Sequence, residues 1–444
     1  MSRRRRRPRL PDGEFDAHID TMSHDGRGVA RVEEKATFIQ GALPGEDVRF
    51  RYLKRKRSHD EGLATAVVKA SPDRVEPRCD HYAICGGCSL QHMDAEAQIK
   101  SKQGVLVENL KHIGKVEPAS LLPPLINDSP WGYRRKARLG VKWVPKKGKV
   151  LVGFRERGSS FVADLNQCHV LHPRVGTLLP QLSQLIEQLS IRDRVPQIEM
   201  AMDDDRCVLI FRILDPLTEN DRQLLREFGE RHRVIPYLQP GGPDTVAPLD
   251  EGVDLYYELP AEGLALSFLP GDFTQVNTEI NRRMVARALE MLDPGPGDNV
   301  LDLFCGVGNF TLPLARHAGQ VCGVEGDAGL VERARANARR NNLTNADFFT
   351  ANLYEELAPG AWLDRRFNKA LLDPPRSGAQ QVLHLLPRLG VETLLYISCY
   401  PGTLARDAGE LVNELGYQLV NAGVMDMFPH TAHVESIALF RRVR

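Results

Sequence analysis

Over roughly the first seventy residues, hydrophobic and polar positions alternate with the period of two that marks half-buried strands. Runs near 14–20, 28–32, 36–40, 46–53 and 62–69, separated by bends at Asp25-Gly26 and Pro44-Gly45, predict five short strands. That many strands in so short a segment suit a small β-barrel of the OB type. From Asp94 to Ile113 the spacing becomes helical, with Ile99, Leu106, Leu110 and Ile113 on one face. Residues 115–130 are proline-rich and read as irregular. Strand-like runs at Lys149–Phe154 and Cys207–Ile213 and a helix near 176–190 predict a mixed α/β middle domain.

From residue 271 strands and helices alternate. Buried strands are expected at Asn299–Phe304, Gln320–Glu325, Ala346–Ala351, Lys369–Asp373 and Thr393–Ser398, with helices running to His317 and near 327–341. Tyr417–Val424 and His433–Arg442 read as a closing antiparallel hairpin. Repeated βα units predict an α/β fold, a doubly wound parallel sheet that binds ligands at the carboxyl ends of its strands. The expected domains are an arginine tail with the barrel (1–76), the middle domain (77–270) and the doubly wound domain (271–444).

Of the 444 residues 42% are hydrophobic, which excludes disorder along the whole chain. No run approaches the ~18 apolar residues of a membrane helix. Met1–Arg9 is arginine-rich with no apolar segment behind it, so it does not read as a secretory signal, and the cytoplasm is the expected location. The 58 basic and 58 acidic residues balance only globally. Residues 1–78 carry a net +5 and residues 131–157 a net +9, which leaves −14 for the remainder. Trp131, Tyr133, Trp143 and Phe154 are interleaved with the second basic run. Rings that stack bases among cations that hold phosphates point to nucleic acid.

Eight cysteines are scattered along the chain, a pattern that suits metal or catalytic chemistry in a cytosolic protein better than a disulfide framework. Cys79, Cys85 and Cys88 form a C-x5-C-x2-C cluster tightened by Gly86-Gly87, and Cys168 supplies a fourth thiol downstream. Zinc and an iron–sulfur cluster both accept four thiolates. Leu301–Phe310 (LDLFCGVGNF) ends a strand and opens a helix, and the acidic Glu325 closes the next strand, where it can accept bonds from ribose hydroxyls. Thr311 stands where a dinucleotide loop needs its third glycine. The loop therefore fits S-adenosylmethionine better than NAD, and it resembles motif I of the class I methyltransferases. Asp373-Pro374-Pro375-Arg376 ends the fourth strand on a stiff turn. Cys399 ends the fifth directly before a helix, a position that suits either a thiol of lowered pKa or a buried structural cysteine.

The strings SCYPGTLARD, DPPR and His433-Val434-Glu435-Ser436 together resemble the RNA uracil-5-methyltransferases, and the likeness extends over most of the chain. The barrel resembles the TRAM domain, an RNA-binding module. The resemblance implies a class I, Rossmann-like methyltransferase domain in which Cys399 is the nucleophile and Glu435 the general base. It places Gln275, Phe304, Asn309, Glu325, Asn352 and Asp373 around the cofactor and base pockets. It favours a [4Fe–4S] cluster on Cys79, Cys85, Cys88 and Cys168, with zinc as the alternative. The barrel and cysteine cluster together point to the subgroup acting on 23S ribosomal RNA at a uracil-1939-type site, as a monomer away from membranes. Two other readings compete. One is methylation of transfer RNA uracil or of an RNA nitrogen, with Asp373–Arg376 as an amino clamp. The other is a non-enzymatic, metal-stapled RNA chaperone.

Overall fold

The computed structural model describes residues 10–355 and 362–443. The arginine tail Met1–Arg9 lies outside the described residues. The chain forms two compact units, one of residues up to Lys102 together with Phe428–His433, the other of Gln103–Met427 and Val434 onward.

In the first unit six strands form one sheet in the order 15–18, 47–55, 60–69, 35–40, 28–32, 21–22. The run expected at 14–20 changes partner in its middle. The Ile19 N–H bonds to the Glu46 carbonyl, whereas the Asp20 N–H bonds to that of Val29. The two edge strands are thus halves of one chain segment, and the sheet closes into a barrel, leaving no open edge. In Asp47–Arg55, Val48, Phe50 and Tyr52 point inward to Ile19, Ala30, Ile39 and Ala42, and the intervening arginines point out. Glu46 is fully buried yet satisfied, because it accepts from the N–H groups of Leu43 (2.8 Å) and Ser71 (3.2 Å) and from Arg74 (2.5 and 2.7 Å). Burial would raise its carboxyl, but Arg74 and the two N–H groups outweigh that and hold it below the usual range. This pair ties the segment after the last strand back onto the barrel.

The second unit holds two large sheets and the hairpin 255–259/264–268. The middle sheet runs 247–248, 235–239, 207–212, 197–202, 136–144, 149–153, and the helices Leu179–Gln188 and Glu219–His232 lie in the same part of the chain. The other sheet carries the site. Its strands are β1 (Asn299–Leu303), β2 (Gln320–Glu325), β3 (Ala346–Thr350), β4 (Lys369–Leu372), β5 (Thr393–Ser398), β6 (Tyr417–Met425) and β7 (Glu435–Arg442). Its helices include α1 (Thr278–Leu292), α2 (Thr311–His317), α3 (Ala328–Arg340) and α4 (Pro401–Asn413). The strand order is 3-2-1-4-5-7-6, with β1 to β5 parallel and β7 antiparallel to β5. This is the doubly wound sheet expected from the sequence, and the order reverses between β1 and β4, the switch point at which such sheets bind ligands. Residues 115–130 are not wholly irregular, because Ser120–Leu121 adds a parallel edge strand to β6. Two residues are too short to show a hydrophobic period. No helix among the described residues is long and apolar enough to cross a membrane.

Candidate active site

Beyond β1 the chain makes a turn that few side chains permit. Phe304, Gly306 and Gly308 have φ of 65°, 54° and 96°, in the left-handed region that disfavours residues with a Cβ. The N–H groups of Phe304 and Cys305 bond to the Val324 carbonyl (2.9 and 3.1 Å), which folds the loop over the end of β2. A Cβ on Gly306 would meet nothing within 4 Å, so the outer face of the loop is open to a ligand. Glu325 ends β2 with its carboxyl clamped by the N–H groups of Gly306 (3.2 Å), Gly326 (2.7 Å) and Asp327 (3.1 Å). The Phe304 ring lies 5.7 Å from that of Tyr354, and exposed Asn352 accepts the Tyr354 N–H. An open loop, a fixed carboxyl, an aromatic face and a free-standing amide suit a nucleoside, so these residues fit S-adenosylmethionine. Asn309 is differently engaged: it exchanges hydrogen bonds with Asn281 (3.0 Å each) and accepts the Tyr257 hydroxyl (3.1 Å). Gln275 lines a small cavity with Arg135, Tyr257 and Asn281.

The second half of the site lies on β4, β5 and β7. The register pairs Ser398 with Ser436, so the next residues on the two antiparallel strands, Cys399 and Glu435, stand opposite each other. Asp373 follows β4, with its N–H on the Leu303 carbonyl (3.3 Å). The turn after it is pinned by a residue the sequence reading passed over. Buried Asp407 on α4 accepts the Ala379 N–H (2.7 Å), the Tyr396 hydroxyl (2.6 Å) and the Arg406 Nε (2.8 Å). Arg406 also holds the Ser377 carbonyl (2.9 Å), and Thr403 holds that of Arg376 (3.2 Å). The ARD end of SCYPGTLARD therefore fixes the DPPR turn, and its signal was an acid at a helical position facing the core.

The electrostatics correct one expectation. Cys399 does precede the helix, yet its thiol is pushed up to about 11, by burial and then by Glu435 and Asp373, against the pull of Arg376. The partial positive charge of a helix N-terminus is smaller than the effect of two acids in a dry pocket. Burial lifts Asp373 to about 7. Glu435 is raised well above the carboxylate range by burial and by Asp373, with Arg376 opposing.

The basic segment is also reassigned in part. Lys136 is inserted among backbone carbonyls, donating to those of Pro270 (3.1 Å) and Asp272. Arg134 bonds to the Lys136 carbonyl and Arg135 to Asp204. Lys136 thus tethers the 270–276 loop that carries Gln275, and Arg134 and Arg135 are held by protein partners. Among the rings, Tyr133 is buried, Trp143 is covered by the Arg192 guanidinium at 4.5 Å, and Trp131 meets the edge of His169. Phe161 is the exposed ring of this region, at 71%. In the barrel, Arg55 and Lys56 pair with Asp60 and Glu61, leaving Lys54 and Arg57 exposed.

The eight cysteines are not in disulfides. The 79–88 segment is a tight turn in which the Gly87 N–H donates to Cys85 Sγ (3.4 Å), while the Cys168 N–H bonds to the Gly176 carbonyl. Among the described residues no group of three or more Cys, His, Asp or Glu is arranged to hold a metal ion. Cys207, Cys305 and Cys322 are buried, and burial raises their thiols.

A family model described as tRNA (Uracil-5-)-methyltransferase matches residues 259–443. The chain is 55% identical to the 23S rRNA (uracil(1939)-C(5))-methyltransferase RlmD of Alkalilimnicola ehrlichii, over 99% of both chains. It is 53% identical to the protein of the same description from Stenotrophomonas maltophilia, again over 99% of both. The chain belongs to the RNA uracil-C5-methyltransferase family. Among solved structures, the Pyrococcus abyssi tRNA (uracil-54, C5)-methyltransferase in complex with S-adenosyl-L-homocysteine shares the fold. Its TM-score is 0.73 at 23% identity, over 96% of this chain and 99% of that one. Membership of the uracil-C5-methyltransferase family decides for carbon methylation over the amino-clamp and non-enzymatic readings.

Proposed function

We propose that this chain transfers the methyl group of S-adenosylmethionine to C5 of a uracil in 23S ribosomal RNA, at a 1939-type site, through a covalent adduct on Cys399. The observation that carries the reading is the β5–β7 register, whose last pair, Ser398 with Ser436, brings the next residues, Cys399 and Glu435, side by side. Phe304, Glu325 and Asn352 would hold the adenosine of the cofactor, and Gln275, Asn309 and Asp373 would complete the cofactor and base pockets. Bound there, S-adenosylmethionine supplies an electrophilic methyl group on a sulfonium.

Uracil C5 is too weak a nucleophile to take that methyl unaided. Cys399 Sγ adds to C6, and the C5–C6 electron pair moves onto C5 and O4 as an enolate. The thiol must first lose its proton, and Asp373, titrating near neutrality, is suited to take it. C5 then takes the methyl. Ionised Glu435 removes the C5 proton, the C5–C6 double bond re-forms, and the thiolate is expelled. A base must leave its stack to reach Cys399, so a loop or single strand is the substrate. Lys54 and Arg57 on the TRAM-like barrel, and the exposed cations of the middle domain, hold the phosphates. The enzyme works as a cytoplasmic monomer.

With methyl-labelled cofactor and 23S rRNA, the label should appear as 5-methyluridine at a single uridine. Label on a nitrogen, or on transfer RNA alone, would overturn the assignment. For Cys79, Cys85, Cys88 and Cys168 we infer a [4Fe–4S] cluster of structural role, a reading supported by the cysteine spacing and the subgroup resemblance. Anaerobically purified protein should be brown with about four irons, and Cys168→Ala should lose the colour. Stoichiometric zinc without iron or sulfide would count against it.

A further inference from the structure

One buried acid has no task in the chemistry above. Asp302 lies inside β1 at 0% exposure. Its Oδ2 accepts the Thr311 hydroxyl at 2.5 Å, and its Oδ1 has no hydrogen-bond partner. A strand interior of this kind ordinarily takes an aliphatic side chain, and an unsatisfied buried oxygen calls for an explanation. The position is informative. The Leu303 carbonyl, one residue on, receives the Asp373 N–H, and the Gly306 N–H, four residues on, goes to Glu325. Three acids thus cluster on three adjacent strands: Glu325 at the end of β2, Asp302 one residue before the end of β1 and Asp373 just past β4. The other groups around Asp302 are Thr311 on α2 and the buried thiols of Cys305 and Cys322, with Cys399 and Glu435 beyond Asp373. The charges that act on it most are the acids Asp373 and Glu325, and Arg376 acts on Cys399 and Glu435.

We propose that Asp302 is the residue through which the site distinguishes the sulfonium cofactor from its thioether product, releasing its proton to solvent as S-adenosylmethionine docks and recovering one after the methyl has left. This rests on the methyl-transfer reading above. In the empty site burial, then the acidic neighbours, hold the proton on Asp302 up to about 8 despite the Thr311 hydrogen bond. A cation docked over the loop favours the ionised form, and the Thr311 hydroxyl already donates to it. Methyl transfer neutralises the sulfur, and the carboxylate, left with acidic neighbours, takes a proton back. The balance closes: one proton leaves on docking, one returns after transfer and the C5 proton leaves through Glu435, a net release of one per turnover.

The test is isothermal titration calorimetry of the full chain with S-adenosylmethionine and S-adenosylhomocysteine, between pH 6 and 9, in buffers of different ionisation enthalpy. S-adenosylmethionine should release protons below pH 8 and S-adenosylhomocysteine should release fewer. The preference for the sulfonium form should grow by about tenfold from pH 6.5 to 8. Asp302→Asn should lose most of that proton release and flatten the preference with pH. Thr311→Val, which removes the hydroxyl but keeps the shape, should move the release to higher pH; it decides the matter should Asp302→Asn not fold. Unchanged proton release in Asp302→Asn, or an unmoved midpoint in Thr311→Val, would overturn the proposal. Failure of the wild type to bind either ligand would instead sink the methyl-transfer reading.

Discussion

Glu435→Gln should accumulate a covalent RNA–protein adduct that runs as a slow band in denaturing gels, whereas Cys399→Ala should form none. The two variants part because they stop the reaction at different bonds. Without the thiol nothing adds to C6, C5 stays inert, and methyl transfer should fall by about 10⁴-fold or more while RNA and cofactor still bind. With glutamine at 435 addition and methyl transfer proceed, but the C5 proton stays, and elimination cannot follow. Wild-type enzyme given RNA with 5-fluorouridine should stall likewise, since fluorine does not leave as a cation. A Cys399→Ala enzyme that still methylates would end the covalent reading.

Turnover should climb steeply with pH. The Cys399 thiol is held up to about 11, so at pH 7 only about one part in 10⁴ is thiolate, and that share grows about tenfold per unit. Glu435 must also be ionised before it can act as a base, and burial and Asp373 resist that. Single-turnover adduct formation with 5-fluorouridine RNA, in which Asp373 takes the thiol proton, should therefore rise with a slope near one up to about pH 7 and less steeply above it, as Asp373 becomes fully ionised. Complete turnover should rise at least as steeply over the same range. A flat profile would mean that bound RNA sets these protonation states by itself. The sign for stability is opposite. Asp302, Asp373 and Glu435 have folded-state pKa values above their unfolded ones, so their contribution is present at acid pH and lost as pH rises through the folded values. The ligand-free protein should lose stability across the range in which the enzyme speeds up, a trend that urea titrations at pH 5 and 8 would read directly.

The strands of the doubly wound domain, and the helices ending at His317 and near 327–341, were legible to within a residue or two, because the strands are mostly apolar runs bounded by turns; α1 was not read. Cys399 was legible as the last residue of such a run, and Glu435 through the family resemblance. What escaped the sequence was set by partners far away along the chain. The protonation of Cys399 depends on two acids 26 residues before and 36 after it, and no local rule weighs them against a helix terminus. The Arg134–Lys136 cluster reads as a polyanion site by composition, but its roles as tethers come from carbonyls near 270 and an aspartate at 204. Asp302 was quoted within a motif and passed over, although a charge inside an otherwise apolar strand was itself the signal.

Cys399 and Glu435, the proposed nucleophile and base, are brought together by the hydrogen-bonded ladder of β5 and β7, which runs to the residue before Cys399. Such a ladder has only whole-number settings. A shift by one residue carries a side chain about 3.4 Å along the strand and turns it to the other face of the sheet. The pair cannot drift apart by degrees as loop-borne groups can: the two residues are either matched or on opposite sides of a wall. Inserting one residue within β7, where Glu435 to Phe440 are all buried, would turn the acid away from the thiol and misplace the side chains packed on both faces of the strand. For the proposed nucleophile and base, the register of two strands is itself a catalytic parameter.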